Sequence, residues 1–266
     1  MNNPAGWTVA FWFLVVIILA VIASLIEKKR KRDEEKAAES AAEYLKDSDY
    51  RQFPEGQVSD TSGASVFSEL EEEAVEYREY AQELLAGNYI ILDTETTGLD
   101  KDAQIIELSI IGMDGSVLLD TLIKPKYRMD DSSIATRVHG ITNLEVEDAP
   151  EWPEVFQKVK EIIDAAEGVV VIYNGKFDAR LIRQTCRLYG LPEFNYTYYC
   201  AMEMFAVWYG QLKNGFSSYR WQKLEFALSV CEGRFKGRQH RALSDCFATL
   251  DVLRYMADNP PLPRKF

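Results

Sequence analysis

The first strong pattern along the chain is a run without polar relief. Residues 7–26, "WTVAFWFLVVIILAVIASLI", are uncharged and almost wholly apolar. Their length matches the roughly 20 residues a helix needs to cross a bilayer. Trp7 and Trp12 sit towards one end, where amphipathic rings favour the interface. The basic cluster "EKKRKR" follows directly at 27–32. Positive residues stay on the cytoplasmic side, so the N-terminus, residues 1–6, is expected outside and everything after Lys28 in the cytoplasm. A cleaved signal peptide competes, with residues 21–23 as a weak cleavage site. It is disfavoured because "MNNPAG" has no basic residue ahead of the run and the charge asymmetry is reversed for secretion. A buried core helix is disfavoured too, since the run has no polar face.

Residues 27–64 then read as a charged, flexible linker. Alanine and charge dominate 33–46, and 47–65 mix Asp, Ser, Gly and Pro with few aliphatics. Helical spacing returns over 65–87, with Leu70, Ala74, Tyr77, Ala81 and Leu84 on one stripe. Ser68 with Glu71 suggests a capping box, and Gly87 a stop. From 88 to 258 the pattern alternates. Strands are predicted at 89–93, 104–111 and 117–124, the last two joined by the turn "MDGS" at 113–116. Residues 152–168 predict a helix, "VVVIYN" at 169–174 a strand, and 177–189 a helix. A short strand follows near 196–200, then helices near 221–231 and 240–257. Three hairpin-linked strands followed by helix–strand–helix–strand describe an α/β domain, a mixed five-stranded sheet flanked by helices. Residues 259–266 form a tail.

Composition refines this in two places. The hydrophobic fraction of 47% supports a real core and excludes wholesale disorder. The net charge of −12 argues at first against a nucleic-acid partner. However, residues 1–87 hold 9 Lys/Arg against 17 Asp/Glu, and 88–266 hold 21 against 25. The second part is therefore only at −4, and carboxylates neutralised by bound metal would bring it near zero. Cys186, Cys200, Cys231 and Cys246 have no C-x-x-C and no regular spacing, which fits reduced thiols better than a zinc site or disulfides.

The chemistry starts at "YIILDTETTG", residues 89–98, where an apolar strand ends in two acids. Asp93 and Glu95 lie at i and i+2, so on a strand both point to one face. Like charges on one face repel unless a cation lies between them, although a strand turning into solvent looks the same. "NGKFD" at 174–178 puts Asp178 at a helix start, where an acid also simply complements the dipole. "HRALSD" at 240–245 holds His240 and Asp245, which would stand about 140° apart on a continuous helix. A histidine in the loop just before the first turn fits better.

Taken together, "DTETTG", "NGKFD" and "HRALSD" resemble the three exonuclease motifs of the DEDDh, or DnaQ-like, superfamily of 3′→5′ exonucleases. They match in order, residue type and the element each occupies. "HGIT" at 139–142 resembles the segment that family carries between its first two motifs. The resemblance covers about 88–258 and implies a ribonuclease H-like fold. It implies Asp93, Glu95, Asp178 and Asp245 as the acids that hold two Mg²⁺ or Mn²⁺ ions, and His240 as general base. It implies no catalytic role for His139. Two-metal chemistry suits the reaction, because hard cations want carboxylate oxygens and flank both the attacking and leaving oxygens. Imidazole is the side chain whose ordinary titration falls between pH 5 and 8.

Substrate contacts are expected from Thr96, Thr97 and Leu99, which follow the ligand strand, and from Asn174. Arg238 and Arg241 lie in the basic stretch "GRFKGRQHR" at 233–241, a suitable place to hold a phosphate backbone. The expectation is a membrane-tethered, cytoplasm-facing 3′→5′ exonuclease that releases nucleoside 5′-monophosphates, with DNA favoured over RNA. The alternatives are an exoribonuclease on the same site, an endonuclease on the same fold, or a non-catalytic nucleic-acid-binding membrane protein. No polymerase or helicase segment is present, so a proofreading or repair role would need a partner.

Overall fold

A computed structural model describes residues 63–213 and 218–263 of the chain. The expected membrane span at 7–26 and nearly all of the 27–64 linker lie outside the described residues. Among the described residues, no helix is long and apolar enough to cross a membrane.

The first described element, α1 (Gly63–Ala86), begins two residues before the expected start. Ser68 therefore lies inside the helix and not at its start. The stripe works as its spacing requires: Leu70, Ala74, Tyr77, Ala81 and Leu84 are all buried. The sheet follows. Strand β1 (Ile90–Thr96) pairs antiparallel with β2 (Ile105–Gly112), which pairs antiparallel with β3 (Val117–Leu122). The β2–β3 turn closes through Gly112 N–H to Ser116 O at 2.8 Å, with Gly115 at φ 89°, where only glycine is at ease.

A short helix, α2 (Ile134–His139), precedes α3 (Trp152–Ala165). Helix α3 starts on a reciprocal capping box between Glu151 and Glu154 and buries Trp152, Val155, Phe156, Val159, Ile162 and Ile163. Strand β4 (Val169–Ile172) then runs parallel to β1, and helix α4 (Gly175–Leu188) brings the chain to β5 (Thr197–Cys200), parallel to β4. Helices α5 (Ala201–Tyr209), α6 (Leu224–Val230) and α7 (Ala242–Asp258) complete the domain. The sheet order is β3-β2-β1-β4-β5, the mixed five-stranded sheet the sequence predicts.

Each face of the sheet buries its own core. Ile90, Leu92, Val170 and Ile172 face α3 and α4. Their alternates Ile91, Val171 and Tyr173 face α1, α5 and α7. Period-2 alternation of apolar residues on both faces explains why these strands read as continuous hydrophobic runs. Helices α2 and α5 go beyond the sequence expectation. The first is six residues long, and in the second Met204, Phe205, Ala206, Val207 and Trp208 are successively buried, which leaves no polar face to read.

Trp208 anchors that second core. It is 0% exposed, packs on Phe205 and Tyr255 with ring centroids 5.9 and 5.8 Å away, and donates Nε1–H to Asn259 O at 3.4 Å. Trp208→Ala is expected to cost about 3–5 kcal/mol of stability, because the cavity it leaves can collapse only in part. Denaturant titration checks this, and a loss below ~1 kcal/mol would contradict the packing account.

Candidate active site

The period of β1 sets the site. Ile91, Asp93 and Glu95 share one face, and α7 lies across it: Cys246 Sγ stands 3.4 Å from Ser109 O and 3.8 Å from Ile91 O. That contact brings Asp245 over the end of β1. One carboxylate oxygen from each of Asp93, Glu95 and Asp245 lies within 4.8 Å of the others. Asp178 arrives from elsewhere, in the first turn of α4 at the end of β4, and stands outside that group of three. It is buried, and its Oδ1 accepts a 2.7 Å hydrogen bond from Thr94 Oγ1. The acids thus gather at the C-terminal ends of the parallel pair β1 and β4, where open α/β sheets place their ligands.

The electrostatics are those of a site built for positive charge. Burial is the first cause that raises all four acids. The Asp93 carboxyl is held well above the usual range by burial and then by Asp178, Asp245 and Glu95. Glu95 is pushed up to about 9 by burial and then by Asp245 and Glu107. Asp178 and Asp245 each rise to about 7, burial again leading. Asp245 Oδ1 is also buried with no hydrogen-bond partner among the described residues. An all-carboxylate donor set with an orphaned buried oxygen fits a hard divalent cation, which would reverse the sign of these shifts.

A stability signature follows. A carboxyl whose folded-state pKa is raised stabilises the fold fully below the unfolded value near 4, and loses that contribution as pH rises through the folded value. In EDTA, the melting temperature is therefore expected to fall by at least ~4 °C between pH 5 and pH 9. Millimolar Mg²⁺ or Mn²⁺ should recover it at pH 8 and do little at pH 5. Scanning calorimetry measures this; a metal-free melting temperature that rises over that range would contradict it.

His240 and Arg241 both precede α7, as the 140° argument requires. His240 is half-buried with φ 59°, in the left-handed region that few non-glycine residues occupy. Thr96 is buried and donates Oγ1–H to Gly98 O at 2.8 Å, while Thr97 N–H donates to Gln104 O at 2.9 Å. Leu99 is 51% exposed beside them, its carbonyl accepting from Arg180 Nη2 at 3.2 Å. Asn174 stands at the N-cap of α4. Arg238 is exposed, its guanidinium lying so close over Gly140 that a Cβ there would collide with Nη1 and Nη2. The "HGIT" segment thereby abuts the basic loop. Arg241 is turned away to Glu107, and Lys236 to Asp251 at 3.0 Å. His139 is buried, and its Nδ1 accepts from Ile141 N–H at 2.9 Å. Burial pulls its pKa down.

Two contributors escaped the sequence reading. Thr94, the partner of Asp178, carries no sequence signal beyond its place between two acids. Glu107 does carry one: it is a lone charge inside the otherwise apolar run "IIELSII", and such a residue demands a partner.

Comparison with known proteins agrees with this architecture. The RNase_T family model, described as exonuclease, matches residues 90–253. The uncharacterized exonuclease CP81 of Escherichia phage 186 is 38% identical over 183 residues, covering 66% of this chain and 92% of the phage protein. The PolC-type DNA polymerase III of Caldanaerobacter subterraneus is 30% identical over 178 residues, 65% of this chain but only 12% of the polymerase. Among solved structures, the nuclease domain of the DEDDh family member 3′hExo, bound to rAMP, superposes with a TM-score of 0.50 at 20% identity. That superposition covers 67% of this chain and 96% of that one, and it shows a shared fold. With a matching family model over most of its described length, Asp93, Glu95 and Asp245 clustered at the end of β1 and Asp178 hydrogen-bonded to Thr94 of the same strand, this chain belongs to the DEDDh, DnaQ-like superfamily and is a 3′→5′ exonuclease.

Proposed function

We propose that this exonuclease removes nucleoside 5′-monophosphates from the 3′ end of DNA, in preference to RNA, with two Mg²⁺ or Mn²⁺ ions at the carboxylate cluster. The observation that carries the proposal is the convergence of Asp93, Glu95 and Asp245 within 4.8 Å. Asp93 would serve both ions. Glu95 and Asp245 would complete the first, and Asp178, held by Thr94, would support the second. When bound there, such ions supply charge stabilisation at the phosphate and make water a better nucleophile.

The chain's own groups do the rest. His240 accepts a proton from the attacking water as its oxygen bonds to phosphorus and the bond from phosphorus to the 3′ oxygen breaks. The leaving 3′ oxygen takes a proton from solvent water, so the shortened strand ends in a 3′ hydroxyl. The backbone of Thr96 and Thr97, with the exposed Leu99 side chain, meets the terminal nucleotide, and Asn174 orients it. Arg238 holds the phosphate backbone; Arg241 contributes from further back, because its guanidinium is already committed to Glu107. DNA is favoured because the relatives matched over this domain include a DNA polymerase III. The same likeness makes a polymerase or repair partner a reasonable associate. Residues 7–26 tether the enzyme to the membrane, with residues 1–6 outside, the linker 27–64 and helix 65–87 inside, and the 88–258 domain facing the cytoplasm.

Matched 5′-labelled DNA and RNA oligonucleotides test the substrate. The expected result is stepwise shortening from the 3′ end, faster for DNA by about tenfold, and abolished by EDTA. Faster loss of RNA would overturn the DNA preference, and internal cleavage of circular single strands would indicate an endonuclease. Protease protection of right-side-out vesicles tests the tether: an accessible C-terminal domain would contradict it.

A further inference from the structure

We propose that Glu107 on β2 is a positioning residue for the reaction, holding His240 and Asp245 over the strand that carries Asp93 and Glu95; this rests on the metal-site reading above. Glu107 is 3% exposed, and its register partner across β1 and β2 is Glu95. It is thus a fifth acid on the face of the site, next to a proposed metal ligand, yet it lies outside the three-carboxylate group.

Its hydrogen bonds explain why. Oε1 accepts from Arg241 Nη2 at 2.5 Å and from Arg241 Nε at 2.9 Å. Oε2 accepts from the same Nε at 3.1 Å and from the backbone N–H of Ala242 at 2.9 Å. Both oxygens are spent on two consecutive residues, in the fork geometry that makes arginine–carboxylate pairs strong and directional. A buried carboxylate so paired is hard to move, because leaving either charge alone in that environment is costly.

What the pair holds is the start of α7. Arg241 is the N-cap residue and supplies no side-chain cap of its own, so Glu107 provides the missing acceptor from another element, at the helix end that favours negative charge. The Arg241 carbonyl accepts from Asp245 N–H at 3.0 Å, tying the acid to the anchored residue. On the other side of Arg241 stands His240, in left-handed backbone that persists only where the surroundings over-determine it. One carboxylate therefore fixes the backbone of both groups contributed by the third motif. A displacement of about 1 Å in such groups can cost on the order of 100-fold in rate.

The test uses the full chain, with Glu107→Gln, Arg241→Gln and the double variant assayed on a DNA oligonucleotide well below each protein's melting temperature. Each single change is expected to lower kcat by about 10- to 100-fold, and for Glu107→Gln, which removes no proposed substrate contact, KM should stay within about threefold. The double variant should be no more than about threefold worse than the poorer single, because the two residues act as one unit. A folded Glu107→Gln protein with kcat within twofold of wild type would overturn the inference, even if it melts lower, and so would losses that multiply in the double variant. If removing the charge prevents folding, Arg241→Lys keeps it while giving up the fork. An approximately tenfold fall in kcat at near-native melting temperature then supports positioning, and unchanged kcat refutes it. Asp93→Asn runs alongside: if it retains activity the metal-site reading fails, whereas an inactive Asp93→Asn beside a fully active Glu107→Gln refutes the positioning role alone.

Discussion

Asp93→Asn is expected to lower kcat on the order of 1,000-fold or more, about 4 kcal/mol of transition-state stabilisation, without unfolding the protein. The substitution keeps the volume and removes an ionisable carboxyl from the most crowded point of the site, where burial and four neighbouring acids already oppose ionisation. In metal-free solution the variant should therefore be as stable as the wild type or more so at pH 8, while its activity is gone. That opposition separates a metal-holding acid from a structural one: losing a structural acid lowers both. Steady-state rates and calorimetric melting in EDTA measure the two halves, and a variant that is active, or inactive only because it is unfolded, would contradict the assignment.

His240→Asn is expected to lower kcat by about 100- to 10,000-fold, the usual worth of a positioned general base. Asparagine is the informative replacement here. It tolerates the left-handed backbone at φ 59° better than most residues, so the loop and the start of α7 should survive the change. Metal-dependent stabilisation should also survive, because the carboxylates are untouched. His240→Asn should thus bind Mn²⁺ like wild type and barely turn over. A variant with kcat within tenfold of wild type would remove His240 from the mechanism.

Much of this site was legible in the sequence because its geometry is local. Only the joint resemblance of these stretches to three family motifs singled the residues out. Their placement is local: the strand period puts Asp93 and Glu95 on one face, Asp178 follows a strand at a helix start, and the helical angle sets His240 ahead of α7. The fold was legible for a similar reason, since uninterrupted apolar runs mark strands buried on both faces. What stayed hidden depends on residues brought together from far apart. Arg238 and Arg241 look equivalent in "GRFKGRQHR", yet one is exposed above Gly140 and the other is gripped by Glu107, 134 residues away in sequence. Thr94 is ordinary until Asp178 arrives 84 residues later to accept its hydrogen bond. Helix α5 was missed because five consecutive residues, Met204 to Trp208, are buried around its axis and Glu203 is its only charge, which leaves too little of a polar face for periodicity to read.

The central claim is that the acids of three motifs form one divalent-cation site, and a calorimetric titration of Mn²⁺ into the full chain tests it most directly. With a nucleoside 5′-monophosphate present, the wild-type protein should take up two ions, with proton release at pH 7 because raised carboxyls must ionise to bind. Asp93→Asn should lose this binding. Identical Mn²⁺ binding by Asp93→Asn and wild type would place the metal elsewhere and contradict the account.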